Sequence, residues 1–317
     1  MKNEDIKVSI ICITYNQVMY ISKCIESILN QKTNFKYELL IHDDASIDGT
    51  QEILKNYQTK YPNIIKVIYE KENQYSKGLK IAKTFLYPIA QGKYFAFCEG
   101  DDCWIDDNKL QMQYDFMESH KNYFLCTHAC YVNNCENPKH SYNKHTSNYS
   151  RDFSLEECFK GGGGLFATSS YFLRREVAID MPKCFECKWM GDYQLVMHAS
   201  IKGKVYYIDK VMSQYNYMSI NSWSKKVYTN NAKMKQLNDD IISMLKKVDL
   251  FYENQYSDII NECIEKYIIS TLLIDCNYKY VKKNYKKYYQ TLTCLQKIKF
   301  NLKCLFEKQL KKKYNSN

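Results

Sequence analysis

The first hundred residues alternate between short apolar runs and segments whose apolar residues recur every three or four positions. Runs rich in β-branched residues predict strands buried on both faces, and the longer spacing predicts helices packed against them. Repeated alternation of this kind predicts βαβ units, and therefore an α/β fold with a mostly parallel sheet flanked by helices. The predicted strands are residues 7–14, 37–44, 63–70 and 93–102, and the predicted helices are 19–31, 46–62 (capped by Asp48) and 79–92 (broken by Pro88).

Polar clusters follow three of these strands at the point where each strand ends. Ligands of parallel sheets bind outside the carboxyl ends of the strands, so we expect the clusters to form one site. Neighbouring carboxylates repel one another unless a hard divalent cation such as Mg²⁺ or Mn²⁺ neutralises them. Such a metal bridges a diphosphate, which points to transfer from a nucleotide-activated donor. The clusters are Thr14-Tyr15-Asn16, Asp43-Asp44 and Glu99-Gly100-Asp101-Asp102.

The stretches "VSIICITYNQ", "YELLIHDDASIDGTQEIL" and "AQGKYFAFCEGDDCWIDDNKL" resemble the family 2 glycosyltransferases. The resemblance covers residues 7 to 224 and implies a GT-A fold, an inverting transfer from a nucleotide-diphosphate sugar, and Mn²⁺ or Mg²⁺ as cofactor. The chain lacks GxxxxGK[ST] and GxGxxG, which removes the main support for P-loop and dinucleotide-binding sites.

The resemblance also implies roles for individual residues. Asp101 and Asp102 would hold the metal, although the first acid of the family's DxD motif is here Glu99. The implied nucleotide-binding residues are Thr14, Tyr15 against the base, Asn16, Asp44 on the base, Glu99 near the ribose, and Lys77 and Lys83 facing the diphosphate. For the two lysines, a solvated helix surface is an equal alternative.

Asp192 is the candidate catalytic base, because inversion requires a carboxylate that takes the proton of the acceptor hydroxyl. The alternative is a helix N-cap, since Asp192 precedes an apolar-periodic run. After four consecutive glycines, the resemblance implies that Thr168, Ser169 and Ser170 lie beside the sugar and acceptor. It also implies that Trp223 lines the acceptor site, with a buried structural aromatic as an equal alternative. Asn216 and Met218 replace the Arg and His of relatives, which leaves a third protein ligand for the metal in doubt.

The charge divides the chain into a neutral body and a basic tail. The net charge is +10, and residues 225–317 carry 19 basic and 9 acidic residues. We predict a transferase domain over 1–224, with a nucleotide-binding half at 1–105 and an acceptor half at 106–224, followed by a helical Lys-rich extension over 225–317. A helix in the tail, anchored by Phe300, Leu305 and Phe306, would lie on an anionic membrane, with a solvated charged face as the alternative. Nucleic-acid binding ranks lower, because the tail carries no nucleic-acid motif.

Two further hypotheses about function stay open at this point. A sugar-phosphate nucleotidyltransferase shares the alternating fold and the acidic site, and a non-catalytic protein could retain the fold and bind a nucleotide sugar. The predicted acceptor is a glycan or lipid-linked hydroxyl in cell-surface polysaccharide synthesis. The start of the chain lacks the apolar stretch of a signal peptide, so we expect the protein in the cytoplasm, at most peripheral on the membrane.

The chain has fourteen cysteines, which in that compartment are expected to be buried reduced thiols. Cys184 and Cys187 form a CxxC, and Cys126, Cys130 and Cys135 lie near His128 and His140 in sequence. These residues suggest a zinc site, but no second CxxC or paired-His motif accompanies them, so the sequence does not favour zinc binding.

Overall fold

A curled ten-stranded sheet forms the centre of the N-terminal part of the chain in the computed structural model, which describes residues 5–187 and 191–315. Each of the first four predicted strands is present, and the core residues of β1 are excluded from solvent on both faces of the sheet. The strands are β1 (Ile6–Thr14), β2 (Lys36–Asp43), β3 (Ile65–Tyr69), β4 (Tyr94–Phe97), β5 (Cys103–Trp104), β6 (Tyr123–Asn134), β7 (Tyr142–Lys144), β8 (Arg151–Phe153), β9 (Phe172–Arg174) and β10 (Lys204–Tyr217).

The sheet has a parallel half and a mixed half. Its order is β3-β2-β1-β4-β9-β6-β10-β5, with β7 paired to β6 and β8 to β10. Strands β1 to β4 are mutually parallel where they pair, as the alternation predicted, and β9 joins β4 in antiparallel orientation. The predicted mostly parallel sheet is therefore confirmed for its first half, whereas β5 to β10 form both kinds of pair.

Seven helices of the described residues accompany the sheet. In α1, Ile21, Cys24, Ile25 and Ile28 form the buried face, which is the spacing that predicted this helix. Their bounds are α1 (Ile21–Leu29), α2 (Thr50–Lys60), α3 (Lys109–Ser119), α4 (Leu155–Gly161), α5 (Arg175–Ile179), α6 (Asp192–Lys202) and α7 (Trp223–Tyr228).

Two local predictions need correction. The cap of α2 is Gly49, at φ 101°, and not Asp48, whose carboxylate instead accepts hydrogen bonds from the Thr50 amide (3.0 Å) and the Val18 amide (3.0 Å). The helix predicted over 79–92 is reduced to a π-helical turn at Ala82–Leu86 and a 3₁₀ turn at Tyr87–Ile89 that contains Pro88. Proline lacks an amide hydrogen and its ring clashes with the preceding turn, so a regular helix does not run through this segment.

The C-terminal residues form a separate helical unit, which also takes in a short segment that begins at Cys184. The predicted boundary at 224/225 differs from the observed one at 226/227 and omits that segment. The unit's helices are α8 (Asn231–Phe251), α9 (Ser257–Ile274), α10 (Tyr278–Asn284), α11 (Lys286–Thr291), α12 (Cys294–Leu305) and α13 (Glu307–Asn315). In the described part of the chain, no helix is both long and apolar enough to span a bilayer.

The cysteines are all unpaired by disulfides, and most are buried. Cys187 donates from Sγ to Asp240 Oδ2 (3.0 Å), so the CxxC segment packs on α8, while Cys126 and Cys130 lie within β6. Within 5–187 and 191–315, no three side chains of the His, Cys, Asp and Glu types are grouped to hold a metal ion.

Candidate active site

The parallel strands bring the predicted polar clusters to one edge of the sheet. Backbone hydrogen bonds continue past the strand ends: the Asp44 amide donates to Thr14 O (3.0 Å), and the Gly100 amide donates to Ile13 O (3.0 Å). The ends of β1, β2 and β4 are thus tied together, with the acidic turn Glu99–Asp102 beside Thr14. The structure brings together the clusters that the sequence separates by up to 88 positions.

Gly100 allows the acidic turn to approach β1 closely. A Cβ atom at this position would lie 2.4 Å from Gln17 Oε1, 2.7 Å from Thr14 Oγ1 and 2.8 Å from Thr14 Cβ. Thr14 Oγ1 in turn donates to Gln17 Oε1 (2.8 Å). Gln17, which the sequence analysis did not single out, therefore packs under the acidic turn and fixes its distance from Thr14.

Residues at the end of β10 hold the acidic turn from the other side. The Asn216 amide donates to Asp102 Oδ1 (2.9 Å), and Asn216 Nδ2 donates to the carbonyl oxygen of Asp101. The Ser219 hydroxyl donates to Asp101 Oδ2. Asn216 stands where relatives are expected to have Arg, and here it orients both acids. Met218, at the expected His position, has a φ of 61° in the turn that delivers Ser219.

Burial and mutual repulsion raise the pKa values of the acids of this turn. Burial first, and the charge of Asp101 second, raise the pKa of Asp102 well above its usual range, and burial raises the pKa of Asp101. Solvent reaches the Glu99 side chain, yet the surrounding protein and then the charges of Asp101 and Asp192 raise the pKa of Glu99 to about 8. A cation placed here would relieve this repulsion.

The residues present fit a divalent metal of the hard type. Asp102 Oδ2 is buried without a hydrogen-bond partner, and Asp101 lies next to it along the chain. Two carboxylates are the number that Mg²⁺ commonly takes from protein, with water and phosphate oxygens completing an octahedron.

Asp192 is the first residue of α6, and it lies close enough to the acidic turn for its charge to raise the pKa of Glu99. The N-cap is Gly191, so the alternative that Asp192 is itself the N-cap is wrong by one position. Burial raises the pKa of Asp192 to about 6, while the Tyr193 amide, which donates to Asp192 Oδ1 (2.7 Å), and the Lys144 charge lower it. A carboxylate with this pKa is ionised at neutral pH and can accept a proton.

Lys144 is a cation of this site that the sequence did not reveal. It lies in β7, opposite Cys130 of β6, and its ammonium donates to the carbonyl oxygen of Gly164 in the glycine-rich turn. Burial lowers the pKa of Lys144, and the charge of Asp192 raises it. Lys144 thus connects the turn Gly162–Gly164 electrostatically to the candidate base.

Asp44 holds a loop rather than presenting an open carboxylate. Its Oδ1 accepts from the Gln74 amide (2.7 Å) and its Oδ2 from the Tyr75 amide (3.1 Å). Asn16, at φ 51°, accepts at Oδ1 from the Ile47 amide (2.8 Å) and ties the ends of β1 and β2 together. Recognition of a nucleobase by Asp44 stays a prediction. It would use the lone pairs of the Asp44 carboxylate that do not accept from the Gln74 and Tyr75 amides.

Two aromatic side chains, Tyr75 and Tyr15, lie on the segments that follow Asp44 and Thr14. Tyr75 is 42% exposed and lies beside the Trp223 indole. Burial and then the Glu99 charge raise the pKa of Tyr75, whereas Trp223 lowers it. Tyr15 lies under Lys226, whose Nζ is 5.4 Å from the ring centroid. An acceptor contact for Trp223 stays a prediction.

The two lysines predicted to face the diphosphate have exposed side chains, unlike the buried Asp101 and Asp102. Lys77 pairs with Glu72 in the loop that Asp44 holds, and both side chains are largely exposed. Lys83 is exposed in the π-helical turn Ala82–Leu86. The role of both lysines on the diphosphate stays a prediction.

Ser169 and Ser170 are fully buried in a 3₁₀ turn, Thr168–Ser170, beneath the site. The Ser169 hydroxyl donates to Ser213 Oγ (3.2 Å), and the Ser170 hydroxyl donates to Ala167 O (2.6 Å). Both hydroxyls therefore have protein partners, and the predicted contact of either with a sugar or acceptor is untested.

Sequence reasoning missed Gln17, Ser219, Lys144 and Tyr75 for different reasons. Gln17 was within reach, since it directly follows a recognised cluster at the end of β1. Tyr75 is one of thirty tyrosines, and Lys144 lies in a polar stretch without periodicity. Ser219 acts on Asp101 from 118 positions away, which no local pattern could indicate.

Comparison with known proteins gives one family. The family model described as glycosyl transferase family 2 matches residues 9–181. An uncharacterised protein of Mycobacterium tuberculosis is 30% identical over 227 residues, which is 71% of this chain and 62% of that protein. The chain thus spans less than two thirds of the length of this relative.

Two relatives with shorter matches have descriptive names. The putative teichuronic acid biosynthesis glycosyltransferase TuaG of Bacillus subtilis is 40% identical over 110 residues, 35% of this chain and 41% of TuaG. The Escherichia coli protein WfaP, described as a UDP-Glc:alpha-D-GlcNAc-diphosphoundecaprenol beta-1,3-glucosyltransferase, is 37% identical over 117 residues, 37% of this chain and 43% of WfaP.

Solved structures show the same fold at low identity. Staphylococcus aureus TarS 1–349 in complex with UDP-GlcNAc aligns with a TM-score of 0.56 at 17% identity, covering 80% of this chain and 73% of that one. The mannosyltransferase PcManGT of Pyrobaculum calidifontis, in complex with GDP-Man and Mn²⁺, aligns with a TM-score of 0.59 at 12% identity, covering 99% and 89%. At these identities the likeness establishes the GT-A fold.

Proposed function

The chain belongs to glycosyl transferase family 2, and from that premise we propose that it transfers a sugar, with inversion, from a nucleotide-diphosphate sugar to a hydroxyl group. One observation carries the proposal: the ends of β1, β2 and β4 and the start of α6 gather Glu99, Asp101, Asp102 and Asp192 at one edge of the sheet. Carboxylates in these positions would serve two purposes. Two would hold the metal that binds the donor diphosphate, and another would accept the proton of the acceptor hydroxyl.

Asp101 and Asp102 would hold Mn²⁺ or Mg²⁺, with Glu99 toward the ribose. The bound metal supplies positive charge that stabilises the departing nucleoside diphosphate. The chain's own part is to keep the two carboxylates fixed, which Asn216 and Ser219 do through their hydrogen bonds. The Mn²⁺ in the PcManGT complex supports this assignment.

Asp192 would take the proton from the acceptor hydroxyl as that oxygen attacks the anomeric carbon from the face opposite the nucleotide. The carbon–oxygen bond to the diphosphate breaks as the new glycosidic bond forms, so the configuration inverts. The helix N-terminus favours the ionised carboxylate that this step requires, and burial opposes it, which leaves the pKa of Asp192 at about 6.

We propose a glycan or lipid-linked acceptor in cell-surface polysaccharide synthesis. The names of TuaG, a teichuronic acid enzyme, and WfaP, which acts on a diphosphoundecaprenol-linked sugar, support this class. Membership of the family favours sugar transfer over the nucleotidyl transfer that the sequence left open. The alternative of a binding protein without activity is decided by assay.

The experiment has two stages. UDP-, GDP- and dTDP-sugars are first screened for a rise in the unfolding temperature with and without Mn²⁺, because a ligand of the folded state stabilises it by mass action. The sugar that stabilises is then incubated with lipid-linked glycan acceptors, and the anomeric configuration of the product is determined by NMR. Stabilisation without any transfer would favour a binding protein, and no stabilisation by any nucleotide sugar would contradict the proposal.

A further inference from the structure

Helix α12 and its C-cap residue expose an apolar stripe, here called the α12 outer face, made of Leu295, Ile298, Leu302 and Leu305 of the helix and Phe306 at the C-cap. These side chains are 72%, 58%, 49%, 74% and 51% exposed. Their spacing of three and four residues places them on one side of the helix. Single exposed apolar residues are ordinary on protein surfaces, but a row of five on one helix indicates a contact surface.

Internal packing does not explain this stripe, because α12 uses its other side for that purpose. Phe300 and Cys304 are 6% and 9% exposed and pack with Tyr278 and Val281 in the core of the C-terminal unit. The Phe300 and Tyr278 rings meet edge to face, with centroids 5.4 Å apart. The sequence prediction that Phe300 anchors the tail on a membrane is therefore wrong, whereas Leu305 and Phe306 are exposed.

The part of the chain that contains the stripe carries almost only positive charge. Residues 279–317 contain twelve Lys and a single acidic residue, Glu307. Lys299 is exposed and adjoins the stripe on the helix surface, since it lies four positions after Leu295 and three before Leu302, whereas the Lys303 ammonium lies 5.2 Å from the Tyr278 ring centroid. A second copy of this face would bring like charges together, whereas an anionic surface would neutralise them.

We propose that the α12 outer face lies on an anionic phospholipid surface, with its apolar side chains at the boundary of headgroups and acyl chains and with Lys299 toward the headgroup phosphates. This geometry is that of a helix in the plane of the interface. It goes beyond the proposed function, because it concerns the C-terminal unit alone and requires neither donor nor acceptor.

The test uses the full chain and point substitutions. Removal of everything after Tyr278 would also remove Phe300 from the core of the unit, so a truncated chain would confuse lost folding with lost binding. The variant carries Leu295→Gln, Ile298→Gln, Leu302→Gln and Leu305→Gln. The matched control carries Leu250→Gln and Phe251→Gln at the end of α8, where the side chains are 75% and 56% exposed.

Binding is measured by flotation with vesicles of equimolar phosphatidylglycerol and phosphatidylcholine, and with vesicles of phosphatidylcholine alone. The unchanged protein should float with the anionic vesicles, and added salt should release it, because salt screens the Lys charges. The α12 variant should bind about tenfold or more weakly, since it loses the apolar contacts that anchor an interfacial helix. The α8 control should bind as the unchanged protein does, and circular dichroism should show equal helix content in all three.

Three results would overturn the proposal. One is failure of the unchanged protein to bind anionic vesicles, and another is an equal loss of binding in the α8 control. The third is a dimer in sedimentation velocity that the α12 variant converts to a monomer while vesicles bind neither form, which would assign the α12 outer face to a second copy of the chain. None of these results depends on sugar transfer, so they leave the proposed function to its own experiment.

Discussion

The acidic turn Glu99–Asp102 and the Lys-rich helices α10–α13 carry opposite charge in opposite environments. Asp101 and Asp102 are 7% and 2% exposed and are fixed by hydrogen bonds from β10. The described lysines of α10–α13 are mostly exposed, and Lys311 pairs with Glu307 four positions away. Charge that is buried and oriented is suited to act on a bound ligand, whereas exposed charge sums into a diffuse field.

The largest effect is expected at Asp192. Asp192→Asn preserves the size of the side chain but removes the proton acceptor, so transfer should fall by about 10²–10⁴-fold, while donor binding stays unchanged. Steady-state rates and a donor titration measure the two. Asp180→Asn, at an exposed carboxylate after α5, serves as control and should leave the rate unaltered. Retained transfer together with a lower unfolding temperature would show that Asp192 only starts a helix.

Gly100→Ala should lower the free energy of unfolding by about 1–3 kcal/mol, the usual effect of adding a methyl group to a filled space. The added carbon would meet Thr14 Cβ at 2.8 Å, and that atom is fixed on β1. Gly164→Ala is the control, because no atom lies within 4 Å of a Cβ built there. Urea unfolding of both variants gives the comparison, and equal midpoints would contradict the close approach.

Asp101→Asn should weaken Mn²⁺-dependent donor binding by about tenfold or more. Loss of an outer partner of a metal ligand already weakens metal binding by about 10–100-fold, and Asp101 is proposed as a direct ligand. Isothermal titration calorimetry with the stabilising nucleotide sugar measures the effect. Asp107→Asn removes a 51% exposed carboxylate of the same acidic stretch and should bind as the unchanged protein does. Equal Mn²⁺ dependence in both variants would remove Asp101 from the metal site.

A smaller effect is expected on the pH dependence of transfer. The proposed base acts when ionised, so kcat/KM should fall as pH drops through about 6, the pKa of Asp192. The Lys144 charge lowers that pKa, so Lys144→Met should move the acidic limb to higher pH, and Lys144→Arg should largely restore it. Lys139→Met, in the exposed turn before β7, is the control. If the acidic limb of the kcat/KM profile stays at the same pH in Lys144→Met, Lys144 does not act on the base.

The smallest effect is expected in the tail. Lys287 and Glu262 form an ion pair at 3.6 Å with side chains 81% and 48% exposed. Lys287→Ala should change the free energy of unfolding by no more than about 0.5 kcal/mol, because exposed pairs are screened by solvent and lose side-chain entropy. A larger loss in thermal unfolding would mean that exposed tail charges stabilise the fold, which would break the contrast with the acidic turn.

The sequence by itself determined the parallel half of the sheet. Apolar runs long enough for strands alternate there with helical spacing, and both signals arise from contacts each segment must bury whatever its neighbours are. The same signals placed Thr14, Asp44 and Asp101 at strand ends, and the topology of parallel strands then put those ends at one edge. The family resemblance added the roles proposed for these residues.

Only the tertiary structure decided how the site is held and which tail residues face outward. Gln17 under Gly100, Ser219 on Asp101 and Lys144 beside Asp192 are contacts between segments that are distant along the chain or lack a local pattern. Phe300 and Leu305 both lie on α12, yet one is buried and the other 74% exposed, because only one side of the helix meets Tyr278. Local sequence encodes which residues are apolar, but the partner that covers them is selected by long-range packing, which one segment's pattern does not contain.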